Sequence, residues 1–100
     1  MKEVKTIAII GAGTMGHGIA QIAGMAGFEV ALHDNDRTKV DEGLAHIASN
    51  LRKGVAKGKV SEDTQALALG SVRGAPEFLD AVAEADLVIE AVPEKMDLKK

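Results

Sequence analysis

Lys5-Thr6-Ile7-Ala8-Ile9-Ile10-Gly11-Ala12-Gly13-Thr14-Met15-Gly16-His17-Gly18 is an apolar run that ends abruptly in a glycine cluster. Near-continuous hydrophobicity over so few residues, Lys5 to Ile10, predicts a central parallel strand buried on both faces. The helical spacing of Ile19, Ile22, Ala23 and Ala26 predicts a helix from about Thr14 to Ala26, with Gly27 placed as the C′ glycine that ends it. Between strand and helix, Gly11 to Gly16 reads G-x-G-x-x-G. Alone that pattern is weak, but here it stands where its mechanism needs it, leaving a buried strand and opening a helix. Gly11 makes the tight turn, Gly13 leaves the backbone open to a pyrophosphate, and Gly16 lets the helix lie close on the strand. The unpaired amides and positive end of the helix then receive the phosphates. A glycine-rich turn without a ligand is the bland alternative.

Outward from this stretch, strands and helices alternate. Phe28 to Asp34 is a second strand, and Asn35-Asp36 supplies turn and N-cap chemistry for a long helix, Arg37 to Lys57. Val40, Leu44, Ile47, Leu51 and Val55 fall on one stripe of that helix. Gly58-Lys59-Val60 breaks it, and Ser61 caps a short helix with Glu62 and Asp63 in its first turn. Gly70 to Gly74 is expected to be a third strand, and Ala75-Pro76 to open a helical piece through Ala83. Asp86 to Val92 is a fourth strand, stopped by Pro93, and Glu94 to Lys100 starts a further helix. The order β-α-β-α-(α)-β-α-β-α implies right-handed crossovers and a parallel sheet. The fold class is therefore α/β, a Rossmann-type doubly wound parallel sheet that is incomplete, with the first β-α-β-α-β half plus a fourth strand.

Asp34 ends the second strand. A carboxylate there accepts hydrogen bonds from both hydroxyls of an adenosine ribose and repels a 2′-phosphate. One such charge pair, ~4 Å apart at an effective dielectric of ~20, is worth on the order of 4 kcal/mol before solvent reduces it. Arg37 is a potential partner for a 2′-phosphate, but Asp34 and Asp36 beside it favour NAD over NADP. The rival role for Asp34 is a turn or capping residue. Glycine loop and acid together point to a dinucleotide and do not name a reaction.

Composition narrows the rest. Net charge of −3 argues against an electrostatic nucleic-acid footprint. The absence of cysteine excludes disulfides, thiolate metal sites and a thiol nucleophile, and suits the cytoplasm. No apolar stretch approaches the ~20 residues of a membrane span, the N-terminus has no signal-peptide pattern, and no metal site is expected. With only two aromatics, Phe28 and Phe78, the core must be aliphatic.

With these residues in view, the chain resembles the N-terminal part of the 3-hydroxyacyl-CoA dehydrogenase family. The resemblance rests on Ile9 through Gln21, on Asp34, and on Ala85-Asp86-Leu87-Val88-Ile89-Glu90-Ala91-Val92-Pro93-Glu94. It implies NAD as cofactor, held by Gly11, Ala12, Gly13, Thr14, Met15, Gly16 and Asp34, with Glu94 and Lys99 approaching it. It also implies that the long helix reaches the CoA moiety of an acyl-CoA substrate through Lys57 and through Asn50, which replaces a more usual serine. Residues 1–100 would then be a truncated NAD-binding domain, lacking the second half of the fold and a C-terminal substrate and dimerisation domain. Such a piece would leave its fourth strand as an unprotected edge and be marginal in stability. The implied chemistry is oxidation of a 3-hydroxyacyl-CoA to the 3-ketoacyl-CoA, with hydride passing to the nicotinamide and a histidine taking the proton. That histidine would lie past the fourth strand, so no catalytic residue is assigned. His17 sits at a position the family fills with small residues, His33 borders the adenosine end, and His46 falls off the apolar stripe. The parent would be a homodimer or part of a multifunctional β-oxidation protein. Alternatives are a nucleotide-sensing regulatory module and a 3-hydroxyisobutyrate or 6-phosphogluconate type dehydrogenase, which usually reads Gly-Leu-Gly at positions 11–13. A flavin domain would more often carry a glutamate at position 34.

Overall fold

A computed structural model gives the fold and describes residues 4–91. Its elements are β1 (Thr6–Ile10), α1 (Thr14–Met25), β2 (Glu29–His33), α2 (Arg37–Ala56), α3 (Glu62–Ser71), β3 (Val72–Gly74), α4 (Phe78–Val82) and β4 (Leu87–Glu90). The strands form one parallel sheet in the order β3-β2-β1-β4. The chain thus winds outward from β1 through β2 to β3, then crosses back to β4 on the other side of β1. The doubly wound parallel arrangement expected from the sequence is the one observed.

Alternation along β1 explains its unbroken hydrophobicity. Ile7 and Ile9 point to the face covered by α1 and α2, Ala8 points to the α4 face, and all three are buried. The first face carries the heavy packing: Ile7, Ile9, Val30 and Leu32 meet Val40, Ile47 and Leu51 of α2 and Ala20 and Ala23 of α1. The second is built from Ala8, Ala31, Ala75 and Ala81, with Ile10, Val82 and Ala85 against them. Burying one Leu, Ile or Val side chain contributes roughly 1.5–3 kcal/mol, so most of the packing energy lies on the α1/α2 face. Three positions of the expected α2 stripe, Val40, Ile47 and Leu51, are buried; Leu44 and Val55 are partly so.

Helix ends follow their caps. Asp36 accepts from the Thr38 amide at 3.0 Å, and Ser61 from the Thr64 amide at 3.0 Å. Gly27 has φ +96, the left-handed conformation a C′ glycine takes.

The expected helix α1 forms, but its Ile19, Ile22, Ala23, Ala26 stripe faces inward only in part: Ala23 is buried and Ile19 packs against the core, Ile22 is 69% exposed and Ala26 is exposed, and Gly16, Ala20 and Gly24 complete the buried face. The close approach of α1 to its neighbours selects small residues there; a Cβ on Gly24 would lie 2.7 Å from Val72 Cγ2. The third strand is shorter than Gly70 to Gly74. Gly70 and Ser71 still belong to α3, whose Ala68 carbonyl accepts from the Val72 amide, so the helix hands over directly to a three-residue strand.

β3 and β4 are the two sheet edges among the described residues, and on β4 Leu87 is 43% and Val88 45% exposed. The start of β4 is fastened by Asp86, whose carboxylate accepts from the Lys5 and Thr6 amides at 2.8 and 3.1 Å. The helix expected from Glu94 lies outside the described residues.

Leu51 is fully buried between α2 and the sheet. Leu51→Ala is expected to cost about 2–5 kcal/mol of folding stability, read as a lowered urea midpoint by circular dichroism.

Candidate dinucleotide-binding site

Because β2 and β4 flank β1 on opposite sides, the C-terminal end of β1 is where the winding direction switches, the position at which open parallel sheets bind ligands. The glycine loop occupies that position. Gly11 leaves the strand at φ +113, a conformation that L side chains rarely adopt, and its amide donates to the His33 carbonyl at 2.7 Å. A Cβ on Gly16 would land on the Gly11 carbonyl oxygen. The loop is thereby pulled down onto β1 and across to β2.

Gly13 differs from both. Its φ of −71 is open to any residue, and a Cβ there would meet nothing within 4 Å. The free space lies in front of a helix N-terminus with no side-chain cap and no acidic residue in its first turn. A helix leaves its first amides without intrahelical acceptors. Those of α1 therefore open onto the cradle at Gly13, beside exposed Thr14 and Met15.

Asp34 joins the loop directly. Its Oδ2 accepts from the Ala12 amide and its Oδ1 from the Asp36 amide, each at 2.9 Å. Partial burial pushes this carboxyl up. Donation from the Ala12 and Asp36 amides, helped by the charges of Lys39 and His33, outweighs burial and holds it below the ordinary carboxylate range. Asp34 therefore closes a turn, and it stands beside the loop with lone pairs to spare.

Beyond Asp34 a cavity of about 290 Å³ opens, with Arg37 and Asp41 at its polar side and Val40, Leu44 and Pro76 at its apolar side. A second cavity, about 180 Å³, lies on the other flank of the loop, between Gly13, Thr14 and His17 and the α2 residues Lys39, Glu42 and His46.

The remaining sequence-predicted residues are not gathered here. Asn50 is exposed on α2 and donates to Gln21 Oε1 of α1 at 3.2 Å. Lys57 is the exposed C-cap of α2, one helix length, ~30 Å, from its start. Glu94 and Lys99 lie outside the described residues. His33 is buried, its Nδ1 paired with the Ala75 carbonyl at 2.9 Å and its ring edge-on to Phe78. His46 is exposed, as its place off the stripe predicts, and it stacks on His17, with ring centroids 4.9 Å apart and planes 14° from parallel. Spacing along the chain gives no sign of that stack. Among the described residues no group of three or more His, Cys, Asp or Glu is arranged to hold a metal ion.

Residues 6–100 match the family model described as 3-hydroxyacyl-CoA dehydrogenase, NAD binding domain. The chain belongs to that family. A 3-hydroxybutyryl-CoA dehydrogenase of Bradyrhizobium diazoefficiens is 42% identical over 97 residues, covering 97% of this chain and 33% of that protein. The crystal structure of (S)-3-hydroxybutyryl-CoA dehydrogenase from Ralstonia eutropha matches with a TM-score of 0.86 at 40% identity, covering 96% of this chain and 34% of that one. A fatty acid oxidation complex subunit alpha of Idiomarina loihiensis is 37% identical over 99 residues, 98% of this chain and 14% of that protein. The chain spans about a third of the length of the first relatives it matches.

NAD is the cofactor of the family domain, and the residues present fit it. The open cradle at Gly13, the uncapped start of α1 and the carboxylate of Asp34 line one side of the sheet end.

Because the Asp34 carboxyl is held below its ordinary range in the folded chain, its contribution to stability is present above the unfolded value, ~3.9, and lost as pH falls through the lower folded value. Asp34→Asn is expected to flatten the acid side of the stability–pH curve, read by urea titrations from pH 6 down to pH 3.

Proposed function

We propose that this chain is the cofactor-holding part of an NAD-dependent enzyme that oxidises a 3-hydroxyacyl-CoA to the corresponding 3-ketoacyl-CoA. The observation that carries it is the glycine loop clamped through Ala12 to Asp34 with an open, uncapped cradle at Gly13. The relatives named above, 3-hydroxybutyryl-CoA dehydrogenases and a fatty acid oxidation complex subunit, support the substrate class.

In this reading the amides that open α1 bind the pyrophosphate. Asp34 takes the ribose hydroxyls on its remaining lone pairs, and the apolar side of the 290 Å³ cavity takes the adenine. NAD supplies a hydride acceptor at its nicotinamide. The family resemblance adds Glu94 and Lys99 as further cofactor contacts. Asn50 and Lys57 lie along α2 where they would meet the CoA moiety, and the bond from Asn50 to Gln21 holds that amide against α1. None of the three imidazoles of this chain is assigned as the proton acceptor: His33 is engaged with Ala75, while His17 and His46 stack on each other. That base belongs to the parent enzyme outside these residues, as do the parent's dimerisation or multifunctional assembly and its cytoplasmic location.

The test is an NADH fluorescence titration, for which a chain without Trp or Tyr is nearly silent. Saturable binding that favours NADH over NADPH is expected; failure to bind either overturns the proposal. Gly13→Ala is expected to fold like the parent chain and to lose most of its NADH affinity, at least ~10-fold, because its methyl group fills the pyrophosphate's approach rather than any occupied space. An unchanged dissociation constant would remove the cradle from the site. Asp34→Ala is expected to narrow the NADH-over-NADPH preference by roughly one decade. It should also weaken both cofactors somewhat, since Ala12 loses its acceptor; competition between the two nucleotides reads the ratio.

A further inference from the structure

Resting on the cofactor reading above, we propose that the stacked His17–His46 pair couples dinucleotide binding to proton uptake. The pair lies on the flank of the phosphate loop that the ribose and adenine do not use. His17 is in the first turns of α1, and its stacking partner comes from α2. Their cavity is walled on one side by Ala12, Gly13 and Thr14, the backbone assigned to the pyrophosphate. The rings are held there by close backbone packing. Gly43, one turn before His46, would carry a Cβ only 3.1 Å from the Ala12 carbonyl and 3.2 Å from His17 Cβ. The backbone of α2 at Gly43 is thereby held against the loop and the base of the His17 side chain. Among the described residues His17 Nδ1 is buried with no hydrogen-bond partner, so no fixed donor or acceptor dictates the protonation of that nitrogen.

The charges that face the pair can be named element by element. α1 contributes none besides His17, and the loop contributes only amides and the positive end of the helix. α2 contributes Lys39, which opposes a charge on the pair, and Glu42, which favours one. A bound pyrophosphate adds two negative charges on the loop side and tips this balance toward an imidazolium. Histidine is the side chain whose charge changes in the neutral range. The sign follows: the complex holds the proton more tightly than the free chain. NADH affinity is therefore greatest at the acid side of the imidazole range and falls as pH rises through it.

The test measures NADH dissociation constants of the full chain from pH 6 to pH 8.5, in buffers without phosphate or sulfate, for the parent, His17→Asn and His46→Asn. The parent constant is expected to rise roughly three- to tenfold across that range, since a shift of half to one pKa unit on binding gives that factor. Both variants should give flatter curves. No binding at any pH overturns the cofactor reading itself. Binding that is independent of pH, or a slope in both variants as steep as the parent's, overturns the proton coupling alone. If a variant does not fold, imidazole proton NMR of the parent chain decides. NADH should raise the titration midpoints of the His17 and His46 rings and leave the buried His33 ring in place; unmoved midpoints overturn the proposal.

Discussion

α1 begins four residues after β1 ends, and it can lie against the strand only because position 16 has no side chain. From this one steric constraint much of the structure follows. A helix seated that closely aims its first amides across the end of β1, at the place where the winding of the sheet reverses. It also admits only small residues on its inner face, so Gly16, Ala20, Ala23 and Gly24 occupy it and the bulky Ile22 turns outward. The aliphatic mass that stabilises the face comes instead from α2, through Val40, Ile47 and Leu51. Binding geometry and packing are thus assigned to different helices. α1 supplies a start that no side chain occupies, and α2 supplies the energy that keeps it in place.

The acid at the end of β2 works in the same economy. A carboxylate reading a ribose needs only to stand near the loop. Asp34 is bonded to it through Ala12 and bonded again to Asp36. Strand β2 is also tied to the loop by the Gly11 amide on the His33 carbonyl. The spacing between the glycine loop and the end of β2 is then set by two hydrogen bonds. Such preorganisation lowers the ordering cost of ligand binding. The price is that position 34 cannot be changed for its effect on cofactor choice without also loosening the loop.

The elements whose signals are local are legible in the sequence. β1 declares itself by an unbroken apolar run, α2 by its stripe and the Asp36 cap, α3 by Ser61, and the glycine loop by where it stands between strand and helix. The buried face of α1 is not legible by counting large apolar residues, because close packing reverses the usual rule there. The end of α3 and the start of β3 are blurred because helix and strand meet with no turn residues between them. At the site, the loop and Asp34 can be read from spacing alone. The contacts Ala12–Asp34, His17–His46 and Asn50–Gln21 join residues 22 to 29 positions apart, and no periodicity encodes which side chains two packed helices bring together.

α2 is where these threads meet. One stripe of the helix packs the core. A second side, with Arg37, Asp41 and Leu44, walls the cavity beyond Asp34, and a third, with Lys39, Gly43 and His46, walls the cavity beside His17. Gly43 sits at the junction: a methyl group there would lie 3.1–3.3 Å from the loop carbonyl of Ala12, the His17 side chain and Leu32 in the core. The distance between helix and loop is therefore a single packing variable that both cavities share. Tightly packed interiors transmit small displacements rather than absorb them, and the helix-to-loop distance at Gly43 is of that tightly packed kind. Residues of α2 thus line both cavities and the core between them.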